Sequence, residues 1–323
     1  MQACIELVEV KQESFFLVQM KVFFLLVPFL VFSQQQVAKG EVLDKESNEP
    51  IPYVNISILE STVGTSSGDD GSFSLEIKAE DINKNVYLSS LGYKDTTLAV
   101  TSFIKLKTMF LKPLVEELDE VVIKDKFEET FLEINKIKKN KLRGGYAAGS
   151  KPWILALYFP YDEKYSKTEY LNSIKVYVNR SSFIKRYKSK FRIRIYKVDE
   201  EGMPGDDLLM DDLIVETTKK QKEATIDLSQ FNILFPKEGL FIALEGLAIS
   251  YNAFEDVSTY VNKEGEKITR QIVRYSPSFS ATIEKKGKMK VVKFDNNIWY
   301  DFEVPLMEKN KTFVPATSLI LSN

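Results

Sequence analysis

Histidine is absent from all 323 residues, and that absence excludes more chemistry than any other feature of the composition. Without an imidazole there is no Ser-His or Cys-His relay, no histidine general base and no histidine-ligated metal. Cysteine is nearly absent as well: Cys4 is the only one, which argues against a small scaffold stapled by disulfides. An excess of charge of one sign is also lacking. The formal net charge is -2, which gives no electrostatic case for binding nucleic acid or an anionic membrane. The stretch "VFFLLVPFLVF", residues 22–32, is strongly apolar but too short to cross a bilayer comfortably.

That run has another reading. Lys21 precedes it, small Ser33 follows, and Val31 stands two positions before Ser33, which is the order of n-region, h-region and cleavage site in a secretory signal. Met20 reads as the start and Ser33/Gln34 as the cut, with residues 1–19 an upstream extension or a long n-region. The alternative is an uncleaved anchor. Because Cys4 lies before the run, the mature chain would carry neither a disulfide nor a lipid-modifiable cysteine after the cut. The expected location is therefore exported: periplasm, outer-membrane-associated or cell surface.

What is present is a globular composition, 44% hydrophobic and 28% charged, in a chain long enough for two cores. From Val37 to about Lys112 short alternating segments are broken by turns. In "YVNISILE", Val54, Ile56 and Ile58 share one face and Tyr53, Asn55 and Ser57 the other; in "GSFSLEI", Phe73, Leu75 and Ile77 share one face. Between them, "KESNEPIP", "SSGDDGS" and "SLGYKD" supply the Pro, Gly, Asn and Asp that chain reversals need. The pattern predicts a small antiparallel sandwich.

The order "GEVLDKESNEPIPYVNISILESTVGTSSGDDGSFSLEI", then "VYLSSLGYKD", then "MFLKP", resembles the carboxypeptidase-regulatory-like domain. The likeness rests on Gly40, Asp44, Pro50, Ile51, Val54, Asn55 and Ile58, on Gly64, Asp70, Gly71 and Phe73, and on Gly92 and Tyr93, with Gly68 standing where the family often has Thr. It implies a transthyretin-like seven-stranded β-sandwich that is a non-catalytic accessory module, found beside enzymes and at the N-terminus of TonB-dependent outer-membrane receptors. Asp69, Asp70 and Gly71 read as a tight turn in preference to a calcium loop, since calcium takes six or more oxygens. Gly92 and Tyr93 read as a structural corner.

A strand at residues 119–123, within "LVEELDEVVIKD", is similar to the element that follows this module in those receptors. The residues that remain are too few for a receptor barrel, so the expectation is the module and its trailing strand without one. In "KFEETFLEINKIKKNKLRGG", Phe127, Phe131, Ile134 and Leu142 recur at roughly helical spacing. Glutamates come early and lysines late, as a helix dipole favours, and Gly144-Gly145 forms the stop. A short connecting helix is predicted, its lysine cluster a solvated end in preference to a phosphate or lipid site. Beyond Trp153 the two-residue period returns. "SIKVYVN" sets Ile174, Val176 and Val178 on one side, and "FRIRIYKV" sets Phe191, Ile193 and Ile195 against Arg192, Arg194 and Tyr196. "ATIDLS", "GLFIALEGL", "ITRQIVRYS" and "MKVVKFD" add strands, and "FRIRIYKVDEEGMPGDDLL" resembles a segment of exported jelly-roll modules. The expected fold class is all-β: extension and signal over 1–33, the first sandwich over 34–113, strand and helix over 114–145, and a jelly-roll-like β-sandwich over 146–323.

Paired carboxylates are the catalytic device that a histidine-free exported sandwich could run. Glu245, Glu255 and Asp256, and the group Asp206, Asp207, Asp211 and Asp212, are available, though spacing singles out none. Glu245 inside "FIALEGL" is the oddest, because a carboxylate in an apolar strand must face out or find a partner such as Arg194. The segment 199–207, with Asp199, Asp206 and Asp207, reads as a solvated turn in preference to a calcium site. Trp153, Trp299, Tyr158, Tyr161, Tyr251 and Tyr300 could stack on a sugar, but core or rim packing is the ordinary use of such residues. No residue is assigned as catalytic, cofactor-binding or metal-binding, and no cofactor is expected. The expectation is a non-enzymatic exported protein acting in binding or envelope assembly. Its partner would be an envelope protein or a glycan, not nucleic acid, with membrane contact only through the signal segment. A carbohydrate-binding or carboxylate-pair glycan-hydrolysing protein, and an accessory partner of an outer-membrane receptor, are the alternatives.

Overall fold

Residues of alternating polarity bury one face only if a second layer covers it, and that requirement organises both halves of the chain. The computed structural model describes residues 36–114, 129–146, 149, 151–179, 188–218, 221–262 and 264–323. The signal segment, Cys4 and the strand expected at 119–123 lie outside the described residues.

The first body contains β1 (Gln36–Asp44), β2 (Asn55–Ile58), β3 (Gly64–Ser66), β4 (Ser72–Ile77), β5 (Asn85–Ser89), β6 (Thr96–Ala99), the one-turn helix α1 (Val100–Phe103) and β7 (Thr108–Leu111). The strands form two sheets, β4-β1-β7 and β3-β2-β5-β6. Val54, Ile56, Ile58, Phe73, Leu75 and Ile77 fill the space between them, as their periodicity predicts, and Phe73 stacks on Phe103 at 5.2 Å. Gly40 lies so close to β7 that a Cβ there would overlap the Lys107 carbonyl oxygen. Asp70 accepts from both the amide and the hydroxyl of Ser72, and Gly71 takes φ +76°, so this run closes a turn. The Gly92-Tyr93 corner is structural in the same sense: Gly92 takes φ +79°, and Tyr93 donates to Asp44 Oδ2 at 3.0 Å.

The second body contains β8 (Phe131–Ile134), β9 (Arg143–Tyr146), β10 (Trp153–Phe159), β11 (Tyr170–Asn179), β12 (Lys188–Val198), β13 (Pro204–Asp207), β14 (Leu213–Thr218), β15 (Glu223–Asp227) and β16 (Leu240–Gly246). It continues with β17 (Ala253–Val261), β18 (Lys267–Tyr275), β19 (Ser278–Lys285), β20 (Val291–Asp295), β21 (Ile298–Asp301), β22 (Lys311–Pro315) and β23 (Thr317–Ser322). One sheet runs β13-β12-β16-β10-β20-β21 with β14 beside β12. The other runs β22-β19-β11-β23-β8 with β15 beside β11 and β9 beside β19. Phe191, Ile193 and Ile195 from the first sheet face Ile174, Val176 and Val178 from the second across one core. β17 and β18 pair only with each other, as a hairpin outside both sheets.

The connecting helix is a correction. Of the stretch assigned to it, Phe131–Ile134 is strand β8, paired antiparallel with the C-terminal β23, and Arg143–Tyr146 is β9, paired with β19; Phe127 lies outside the described residues. The edge of β23 supplies hydrogen bonds that outweigh a weak helical pattern, and Leu132 and Ile134 pack on the core. Asn135 then turns the chain with φ +52° and donates to the Thr317 carbonyl at 2.9 Å.

Candidate functional site

The alternation in β12 predicts that Arg192, Arg194 and Tyr196 face outward, and they do leave the core. They do not reach bulk water: Arg192 is 1% exposed and Tyr196 4%. Part of the outer face of the β12-β16-β10-β20 sheet meets Tyr53, Asn55 and Tyr87 of the first sandwich, and the seam between these sheets is the candidate site.

A charge network sits at the centre of the seam. Arg192 and Glu245 lie directly opposite in the β12/β16 register, and Arg192 Nη1 donates to Glu245 Oε1 at 2.8 Å. The same oxygen accepts from Asn55 Nδ2 of the first sandwich at 2.8 Å. Arg192 also donates to the Tyr53 carbonyl at 3.2 Å and forks onto Asp212 at 2.6 and 3.2 Å. Burial opposes the charge on Arg192, but Glu245 and Asp212 outweigh it and hold the guanidinium above its ordinary range. Nearby, Lys190 Nζ bonds both Tyr53 Oη at 2.9 Å and Asp69 at 2.8 Å. Ser66 and Ala248 exchange hydrogen bonds, the Ser66 amide donating at 3.2 Å and the Ala248 amide at 3.0 Å. Glu245, singled out in the sequence, is thus both outward-facing and paired. Its close partner is Arg192, with Arg194 Nη1 at 4.0 Å from Oε2.

Two residues along β12 the seam opens. Arg194 forks onto Asp207 through Nε and Nη2, and its guanidinium lies 4.8 Å from the Tyr196 ring centroid. It borders a chamber of ≈ 390 Å³ whose other walls include Tyr87, Asp95, Ile154 and Trp299. Tyr87 donates to Asp95 at 2.5 Å. Burial pushes both the Tyr87 phenol and the Asp95 carboxyl up from their usual ranges. It does the same to Asp207, against the pull of Arg194. A larger space of ≈ 860 Å³, bordered by Glu60, Lys84, Lys151, Trp153 and Asp295, lies elsewhere on the seam. On the border of this larger space the Glu60 amide donates to Asn296 Oδ1 at 2.8 Å.

The other carboxylates are dispersed. Asp207 and Asp212 serve Arg194 and Arg192, Asp206 borders the smaller chamber, and Asp211 is exposed. Asp199 Oδ1 accepts the Glu201 and Met203 amides at 2.9 and 2.7 Å, closing a turn. Glu255 and Asp256 lie on the β17–β18 hairpin, where Asp256 pairs with Arg274 at 2.6 Å. Among the described residues no three acidic or other metal-ligating side chains come together.

The aromatic candidates do not form one platform. Trp153 packs edge-on against Phe279 in the core, Tyr158 on Phe241, and Tyr161 against Tyr165 and Phe235. Tyr251 lies under Lys190, and Tyr300 lies beside Phe302. Trp299 alone of the six borders the smaller chamber. Sequence reasoning passed over Tyr53, Tyr87, Asp95 and Lys190. The single available signal was Asn55, a polar residue in the strand that the family pattern also marks.

A family model described as the CarboxypepD_reg-like domain matches residues 38–123. The first sandwich is therefore a carboxypeptidase-regulatory-like domain, a non-catalytic domain family. The chain is also similar to the TonB-dependent receptor SusC of Bacteroides thetaiotaomicron, 32% identical over 117 residues, which is 36% of this chain and 10% of the receptor. The likeness thus spans about a tenth of that relative's length. Among the described residues no helix is long and apolar enough to cross a membrane.

Proposed function

We propose that this protein is a non-catalytic binding or assembly factor of the cell envelope, in which the carboxypeptidase-regulatory-like domain is a fixed wall of a binding seam. The observation that carries the reading is the Asn55–Glu245–Arg192–Tyr53 network. It commits the most unusual carboxylate of the chain to holding two sandwiches together, in a geometry suited to structure and not to proton transfer. Asp207, Asp212 and Asp256 are likewise held by arginines. The similarity to a TonB-dependent receptor supports an outer-membrane context and a receptor-associated role.

The test has two arms. Purified mature protein is expected to leave panels of glycans, esters and peptides unchanged, and to co-purify with outer-membrane components after gentle solubilisation of its native envelope. Enzyme-like turnover that Glu245→Gln abolishes would overturn the non-catalytic reading. Recovery only in the cytoplasmic fraction would overturn the envelope reading.

A further inference from the structure

The smaller chamber falls within the size range of ordinary small-molecule sites, about 300 to 1,000 Å³, at ≈ 390 Å³. Its chemistry narrows the occupant. One wall is aromatic: Trp299 packs against Tyr196 at 5.5 Å and 78° and against Phe294 at 5.2 Å and 57°, and the indole is only partly covered. Much of the remaining lining is polar. Asp95 comes from the first sandwich, and Arg194 with Asp207 from the second.

Three carboxylates, Asp95, Asp206 and Asp207, stand against two cations, Lys94 and Arg194. Arg194 is already forked onto Asp207. A phosphate or carboxylate ligand would therefore meet net repulsion. A wholly apolar ligand would desolvate the carboxylates with nothing in return. Capacity for hydrogen bonding remains: an ionised carboxylate accepts at about four sites, and Tyr87 takes one at Asp95. Behind Arg194, Glu245 Oε2 is fully buried without a hydrogen-bond partner.

A flat C–H face to lie on an indole, together with a rim of hydroxyls to donate to carboxylates, describes a sugar ring. We infer that the chamber between the two sandwiches binds a neutral sugar, its ring stacked on Trp299 and its hydroxyls held by Asp95, Asp207 and Arg194. The inference rests on the binding reading above and names the ligand class of that seam.

The experiment titrates the purified full chain with cellobiose, maltose and lactose, followed by ligand-observed NMR and by tryptophan emission. The chain has two tryptophans, of which Trp299 borders this chamber and Trp153 the larger space, so an emission change that Trp299→Ala removes reports the chamber. At least one disaccharide is expected to give saturable binding at millimolar or better affinity. Loss of the stacked ring in Trp299→Ala should weaken it about tenfold or more. Should that variant fold poorly, Asp95→Asn is expected to weaken binding while keeping the native near-ultraviolet circular dichroism spectrum. No saturable binding of any of the three sugars, or equal affinity in both variants, overturns the sugar site and leaves the envelope role standing. Binding followed by release of cleaved sugar would keep the site and overturn the non-catalytic reading.

Discussion

Arg192 and Arg194 sit two residues apart on the same face of β12; each forks onto an aspartate, but the rest of their surroundings differ. Arg192 is sealed, with ligands from β16, from the loop before β14 and from the backbone of another domain. Arg194 has Asp207 for its fork and a chamber on its flank. The same residue type on one strand face is an interdomain lock at one position and part of a chamber wall at the next. The first sandwich decides which, by where it touches and where it stands off.

The difference can be broken by mutation. Arg192→Ala leaves the buried Glu245 without its hydrogen-bonded counter-charge, Arg194 standing at 4.0 Å, and is expected to cost about 3–5 kcal/mol, read as a fall in the urea midpoint. The paired change Arg192→Met with Glu245→Leu should recover most of that loss, because removing both charges removes the penalty of burying one alone. Arg194→Ala is expected to cost less, about 1.5–3 kcal/mol, since Asp207 borders the chamber and water can take the space that the guanidinium leaves. If the two arginine variants cost the same, the seam is equally closed at both positions and the contrast fails.

Asn55→Ala tests the lock from the other domain. It removes one donor to Glu245 Oε1 and should cost about 1–2 kcal/mol, with limited proteolysis between the two sandwiches becoming faster. Lys190→Ala, whose partner Asp69 is 68% exposed, should change stability by less than about 1 kcal/mol. A pH scan gives the smallest signal. Burial and the neighbouring Asp44 push the Tyr93 phenol up to about 12, above an ordinary tyrosine near 10. Its contribution is complete below about pH 10 and is lost as pH climbs toward 12, because the unfolded chain gives up that proton first. Tyr93→Phe should flatten that alkaline slope in thermal melts.

Much of the architecture was legible. Ile56, Ile58, Phe73, Leu75, Ile193 and Ile195 announce their burial by two-residue periodicity, and the turn at Asp70-Gly71 by its residue types. The segment at Phe131–Ile134 misled because a three-to-four spacing over a few apolar residues is weak, while its pairing with β23 is set almost two hundred residues away. Glu245 stood out as a carboxylate in an apolar strand. That Arg192 makes its close hydrogen bond while Arg194 stands at 4.0 Å was illegible because it depends on the β12/β16 register, and adjacent outward positions look alike along the chain.

Composition alone removed histidine chemistry, local pattern alone predicted an all-β chain, and the resemblance of residues 34–113 to the regulatory-like domain agrees with the family match over 38–123. The tertiary structure decided the fate of the outward-facing residues of β12 and β16. Periodicity says which side of a strand leaves its own core. Whether that side meets water, a counter-charge or a cavity depends on a second sheet, contributed here by residues about 140 positions earlier: Tyr53 against Arg192 is separated by 139.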